Sequence, residues 1–121
     1  MLTAAIWVLG LATLGGVSLL ALAQRSRPAG RVWLAGAAHG MLGLAGFAFL
    51  LAGLGGPARG TQTGTAGFGV IAAVLIGAGL ALGLVLFAAR LRRRSGAALL
   101  IGLHATLGVA GLVMLAAYLS A

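Results

Sequence analysis

Four long apolar runs, separated by short polar segments, dominate the pattern of this chain. A helix needs about 20 mostly apolar residues to cross the hydrocarbon core of a bilayer, which is about 30 Å thick. Each run is long enough, and none shows the alternation of a membrane-spanning strand. The pattern predicts an all-α membrane protein with an up-down bundle of four transmembrane helices. These helices are expected at about Leu2–Ala23, Val32–Gly55, Ala66–Ala89 and Gly96–Leu119.

The polar segments, residues 24–31, 56–65 and 90–95, share the arginines unevenly. The middle segment holds only Arg59, and the other two hold the rest. Because cytoplasmic loops of bacterial membrane proteins carry the excess of positive charge, we expect the first and third loops to be cytoplasmic. The protein would then be a multi-pass protein of the bacterial cytoplasmic (inner) membrane, with both termini on the periplasmic side. The predicted cytoplasmic arginines are Arg25, Arg27, Arg31, Arg90, Arg92, Arg93 and Arg94.

Composition narrows the chemistry that the chain can supply. Of its 121 residues, 62% are hydrophobic and 7% charged, and it has no aspartate, glutamate or cysteine. It therefore lacks carboxylates for acid–base catalysis or proton-coupled transport, and thiolates for iron–sulfur ligation or covalent haem attachment. We expect no nucleic-acid partner.

An internal repeat organises the chain. A shift of 65 residues places residues 39–46 on residues 104–111, and both segments read H-x-x-L-G-x-A-G. The same shift places two arginines of the first basic loop on two of the second. We therefore predict one transmembrane domain over residues 1–121, built from a duplicated helical hairpin. Repeat 1 covers about residues 1–55 and repeat 2 about residues 66–121, and the two repeats run parallel.

The only histidines of the chain, His39 and His104, occupy the same position in the two repeats. Each lies eight residues past the interface residue at position 31 or 96, which is roughly 12 Å into the membrane. The second and fourth helices of an up-down bundle are diagonal, so the two imidazoles can face each other. A bond to a backbone carbonyl is the structural alternative. Two histidines are too few for a usual zinc or copper site, whereas haem iron needs only two axial ligands.

Glycines accompany both histidines on the same helix face, at spacings of three, four or seven residues. We predict that they leave a smooth slot in which a planar macrocycle lies against the backbone. The alternative is that they are small-residue seams for close helix packing. These glycines are Gly36, Gly43, Gly46, Gly108 and Gly111.

The cytoplasmic arginines have two interpretations. Haem propionates are anions, and the N-termini of the second and fourth helices lie at the same surface, where the helix dipole also favours anions. Guanidinium groups there could pair with the propionates. The alternative is that these arginines set topology and contact anionic lipids alone.

With its glycine-flanked histidines His39 and His104 on a four-helix membrane bundle, the chain resembles the small four-helix b-type cytochromes. The resemblance implies one haem b with bis-histidine ligation. It also implies an electron-transfer protein or subunit rather than a stand-alone enzyme, commonly one that works between a quinone pool and a partner redox protein. Alternatives are a structural, accessory or holin-like pore-forming protein, and a small-solute transporter or a pigment-binding protein with bacteriochlorophyll. The sequence leaves open whether the protein works alone, as a homo-oligomer or within a larger complex.

Overall fold

Four long helices account for nearly all of the described chain. The computed structural model describes residues 1–24, 32–57, 59–92 and 98–121. No strand occurs in that part of the chain, and the prediction of an all-α fold is confirmed. The helices are α1 (Leu2–Gln24), α2 (Val32–Leu54), α3 (Phe68–Leu91) and α4 (Ala98–Leu119).

All four helices are long and apolar enough to cross a membrane, with candidate spans of 21 to 24 residues. The fold is therefore that of a multi-pass membrane protein. The third helix begins two residues later than predicted, because a turn comes first. In this turn the backbone N–H of Thr65 donates to the carbonyl of Gly60 at 3.0 Å. Gly60 has a φ of +70°, a left-handed conformation that favours glycine.

The helices pair as two antiparallel hairpins. The pairs α1/α2 and α3/α4 are the most extensively packed, and the hairpins meet through α2/α3 and α1/α4. Helix α2 is diagonal to α4, and α1 is diagonal to α3. The prediction of an up-down bundle made of two hairpins is thus confirmed.

The two hairpins bury equivalent residues. Leu50 and Leu115 of α2 and α4 are both fully buried, and they are 65 residues apart. In α1 and α3 the equivalent buried residues are Ala5 and Ala72, which are 67 residues apart. A single shift of 65 therefore relates α2 to α4 but misaligns α1 with α3 by two residues. The reason is that Leu50 follows Ala5 by 45 residues, whereas Leu115 follows Ala72 by 43.

The packing differs between the two ends of the bundle. We call the end near residues 56–67 the loop end, and the end where α1 and α3 finish the arginine end. Every buried residue of the described chain lies within residues 2–12, 43–50, 69–79 or 111–118, toward the loop end. Among the described residues of the other half, which includes both histidines, none is buried. At the loop end Tyr118 is 4% exposed, and its hydroxyl accepts a hydrogen bond from the backbone N–H of Arg59 at 3.4 Å.

Candidate histidine site

His39 of α2 and His104 of α4 meet across the centre of the bundle. Their ring centroids are 5.9 Å apart and their planes are 84° from parallel. The diagonal arrangement of α2 and α4 allows this meeting, because equivalent residues of two parallel repeats lie at the same depth. The structure thus brings together the two side chains that the sequence marks as candidate ligands.

Each imidazole is held by the preceding helix of its own hairpin. The Nδ1 atom of His39 lies 2.8 Å from the carbonyl oxygen of Ala12 on α1. The Nδ1 atom of His104 lies 2.8 Å from the carbonyl oxygen of Gly79 on α3. A carbonyl oxygen only accepts hydrogen bonds, so Nδ1 carries the hydrogen and the neutral ring has its lone pair on Nε2.

This bond has two interpretations. It is the carbonyl bond that the structural alternative requires, and it is also the usual second contact of a metal-ligating histidine. In the described part of the chain, neither Nε2 atom makes a hydrogen bond. The two Nε2 atoms are therefore the nitrogens of this pair that remain able to bind a ligand through their lone pairs.

The separation of the rings fits a group with two opposite axial positions. Two iron–nitrogen bonds of about 2 Å, and roughly 1 Å from each nitrogen to its ring centre, would separate the centroids by about 6 Å. The observed separation is 5.9 Å. Perpendicular planes are compatible with such ligation, since each ring plane needs only to contain the bond axis. The centroid separation is therefore compatible with one metal-centred group bound between the two imidazoles.

Two further glycines lie beside the imidazoles. A β-carbon at Gly16 of α1 would be 3.1 Å from Cε1 of His39, and one at Gly83 of α3 would be 3.0 Å from Cε1 of His104. Both distances are shorter than an ordinary van der Waals contact. The sequence analysis missed this pair because the shift of 65 places Gly16 on Ala81. The shift of 67 that relates α1 to α3 would have aligned the two glycines.

Two of the predicted slot glycines pack against their neighbouring helix. A β-carbon at Gly46 would lie 2.6 Å from Cγ of Leu9, and one at Gly111 would lie 2.5 Å from Cγ1 of Ile76. In both cases the backbone nitrogen of the facing residue is 3.2 Å away. This geometry is that of the helix-packing alternative, within each hairpin.

Of the other three slot glycines, Gly43 and Gly36 face the junction between the hairpins. A β-carbon at Gly43 would be 3.0 Å from Cδ2 of Leu80, and one at Gly36 would be 4.0 Å from Cδ2 of Phe87, both on α3. At Gly108, no described atom would lie within 4 Å of an added β-carbon. Gly108 therefore borders open space.

The predicted propionate-binding arginines are described only in part. Arg90 lies in the last turn of α3 and Arg92 follows that helix, and both are exposed at the arginine end. The N-termini of α2 and α4 are at the same end. The remaining predicted arginines, Arg25, Arg27, Arg31, Arg93 and Arg94, lie outside the described residues.

No family model, curated protein or solved structure matches this chain. Within the described residues no group of three or more histidine, cysteine, aspartate or glutamate side chains could hold a metal ion. The histidine pair and its surroundings are therefore the features of the molecule that bear on its function.

Proposed function

We propose that this protein is a membrane electron-transfer protein with one haem b, held between α2 and α4 by His39 and His104. The observation that carries the proposal is the pair itself. Two imidazoles meet at 5.9 Å, and each is bound through Nδ1 so that Nε2 keeps its lone pair. The resemblance to small b-type cytochromes rests on this pair and on the four-helix architecture.

The chain's own residues favour electron transfer over other haem chemistry. When bound, haem supplies a one-electron carrier whose potential depends on its axial ligands. His39 and His104 would occupy both axial positions and so leave none for oxygen or a substrate. The chain has no aspartate or glutamate, so no carboxylate can deliver protons to the site.

The arginine end is the side on which the propionates would bind. The described residues of that half contain no buried side chain. Helix N-termini and the cluster of arginines favour anions there. The positive-inside tendency makes this the cytoplasmic side of a bacterial inner membrane, with both termini periplasmic. The same arginines would contact anionic lipids.

The redox partners in this proposal are a quinone pool and a partner redox protein, as the resemblance implies. The holin-like alternative requires a polar stripe along a helix. The hydroxyls of Thr13 and Ser18 instead donate to carbonyls of their own helix, those of Leu9 and Leu14, both at 2.9 Å. No polar or charged side chain is buried in the described part of the bundle. These observations favour the electron-transfer interpretation over a pore.

The visible spectrum of protein purified without added cofactor tests this proposal. We expect a low-spin haem b spectrum and one haem per chain by haem extraction. A bacteriochlorophyll spectrum would instead support the pigment-binding alternative. A colourless preparation from cells that make haem would support a structural role and contradict the proposal.

Replacement of the ligands tests the assignment of residues. We expect His39→Ala and His104→Ala each to abolish the low-spin spectrum or convert it to five-coordinate, high-spin haem, because one axial ligand is lost. Met41→Ala and Thr106→Ala are matched controls, since each exposed side chain lies two residues from a histidine. If both histidine variants keep the wild-type spectrum while haem is bound, the ligand assignment is wrong.

A further inference from the structure

The two carbonyl groups that bond the imidazoles also accept the usual backbone hydrogen bond of their own helices. In an α-helix, the carbonyl of residue 12 accepts the N–H of residue 16, and that of residue 79 accepts the N–H of residue 83. The histidine Nδ1–H groups are therefore second donors to these oxygens, which have two lone pairs each. Helical side chains lean toward the N-terminus of their helix, so the residue at i+4 normally covers the carbonyl of residue i.

At both places the residue at i+4 is glycine. A β-carbon at Gly83 would lie 3.0 Å from Cε1 and 3.3 Å from Nδ1 of His104. One at Gly16 would lie 3.1 Å from Cε1 and 3.6 Å from Nδ1 of His39. An added methyl group would therefore push the ring away from the carbonyl, which it now meets at 2.8 Å in both hairpins.

The same arrangement occurs in both hairpins although the neighbouring residues differ. The shift of 67 places Thr13 on Leu80 and Gly15 on Leu82. Gly16 and Gly83, by contrast, are glycine in both copies. The common element is a histidine, a helix carbonyl and a glycine four residues after that carbonyl.

We propose that Gly16 and Gly83 are positioning residues of the histidine site. By lacking a side chain they uncover the carbonyls of Ala12 and Gly79, and these carbonyls fix the Nδ1-protonated tautomer and direct Nε2 into the space between the rings. The redox consequence of this inference rests on the proposed function. Neither glycine touches the haem in this account, and both act through the imidazoles.

A carbonyl that accepts the Nδ1–H also makes the imidazole a stronger ligand. Loss of such an outer contact typically weakens metal binding about 10- to 100-fold. A more basic ligand favours ferric over ferrous iron, so loss of the contact raises the midpoint potential. Gly16→Ala and Gly83→Ala should therefore both weaken haem binding and shift the potential to more positive values.

Two measurements test the inference. The first is ¹⁵N nuclear magnetic resonance of the histidine side chains in protein prepared without haem. We expect both wild-type rings to be Nδ1–H tautomers, Gly16→Ala to alter only the His39 signals, and Gly83→Ala to alter only the His104 signals. The second is the midpoint potential and haem affinity of the loaded protein. Gly10→Ala is the control, because no described atom lies within 4 Å of its added β-carbon.

The outcomes separate this inference from the proposed function. Selective changes in the histidine signals, in a protein that never binds haem, would support the positioning role and refute the electron-transfer role. An Nε2–H tautomer in either wild-type ring would overturn the inference, whether or not the variants fold. Haem-loaded variants with wild-type potential, affinity and histidine signals would also overturn it.

Discussion

At the scale of single residues, each histidine places two polar nitrogens on an otherwise apolar stretch of its helix. A polar group that leaves water without a hydrogen bond costs roughly 2–7 kcal/mol. The bonds from Nδ1 to the helix carbonyls of Ala12 and Gly79, both 2.8 Å long, offset this cost for one nitrogen of each ring. A ligand shared by the two Nε2 atoms would satisfy the other nitrogen of both rings at once.

The glycines that join the helices within each hairpin give a prediction at the same scale. We expect Gly46→Ala and Gly111→Ala each to lower the free energy of unfolding by about 1–3 kcal/mol, because the added carbon overfills a packed contact. The facing Leu9 and Ile76 cannot move away freely, since their backbone nitrogens are only 3.2 Å from the added carbon. Unfolding by denaturing detergent in micelles would measure the change.

Gly40→Ala and Gly102→Ala are the controls for this prediction. An added β-carbon at either position meets no described atom within 4 Å, so alanine should be neutral or stabilise the helix by up to about 1 kcal/mol. Equal losses of stability in all four variants would show that Gly46 and Gly111 have no special role in packing.

At the scale of elements, the helices match the membrane in length. They contain 22 to 24 residues, which corresponds to about 33–36 Å at 1.5 Å per residue. This slightly exceeds the hydrocarbon thickness of about 30 Å, so each helix can reach both interfaces. The connections then lie alternately on the two sides.

The alternation predicts the accessibility of single cysteines. We expect Gln24→Cys to react with a membrane-impermeant thiol reagent only after the cytoplasmic side is opened, and Thr63→Cys to react in intact spheroplasts. The chain has no native cysteine, so the unsubstituted protein gives the background. Labelling of both positions from one side would contradict the topology, and a reversed pattern would contradict the orientation alone.

At the scale of the whole molecule, packing is concentrated in one half of the bundle. The loop end contains every buried residue of the described chain, among them Leu50 and Leu115 with no exposed surface. The described residues of the other half, from the histidines to the arginine end, contain none. A ligand that binds only the folded protein stabilises it, and the effect is greatest where it supplies missing contacts.

This asymmetry predicts where haem stabilises the protein. We expect haem loading to raise the unfolding temperature and to slow amide hydrogen exchange mainly in residues 17–22 and 84–89, at the arginine end. Residues 5–12 and 72–79 are the internal control, because they pack in the loop-end half without a ligand. Mass spectrometry of exchange with and without haem would measure this. Uniform protection of both halves would contradict a haem at the arginine end.

The sequence by itself determined the four spans, the hairpin repeat and the equivalent depth of the two histidines. These features follow from the length of the apolar runs and from the spacing of residues along one chain, which are local properties. Confirmation came for the helices and the up-down bundle, while the haem, its ligands and its partners stay predictions. The predicted start of α3 at Ala66 was two residues early relative to Phe68, and the predicted start of α4 at Gly96 lies outside the described residues.

Only the tertiary structure decided which helix faces meet. All four helices are apolar around their whole circumference, so no hydrophobic stripe marks the buried face in the sequence. The contact of Gly46 with Leu9, and the seating of His39 beside Gly16, depend on how two helices are rotated against each other. The buried residues of α1 and α3 are also offset by two residues relative to the repeat of α2 and α4. The partners of the histidines are therefore set by packing between helices, which spacing along a single helix does not encode.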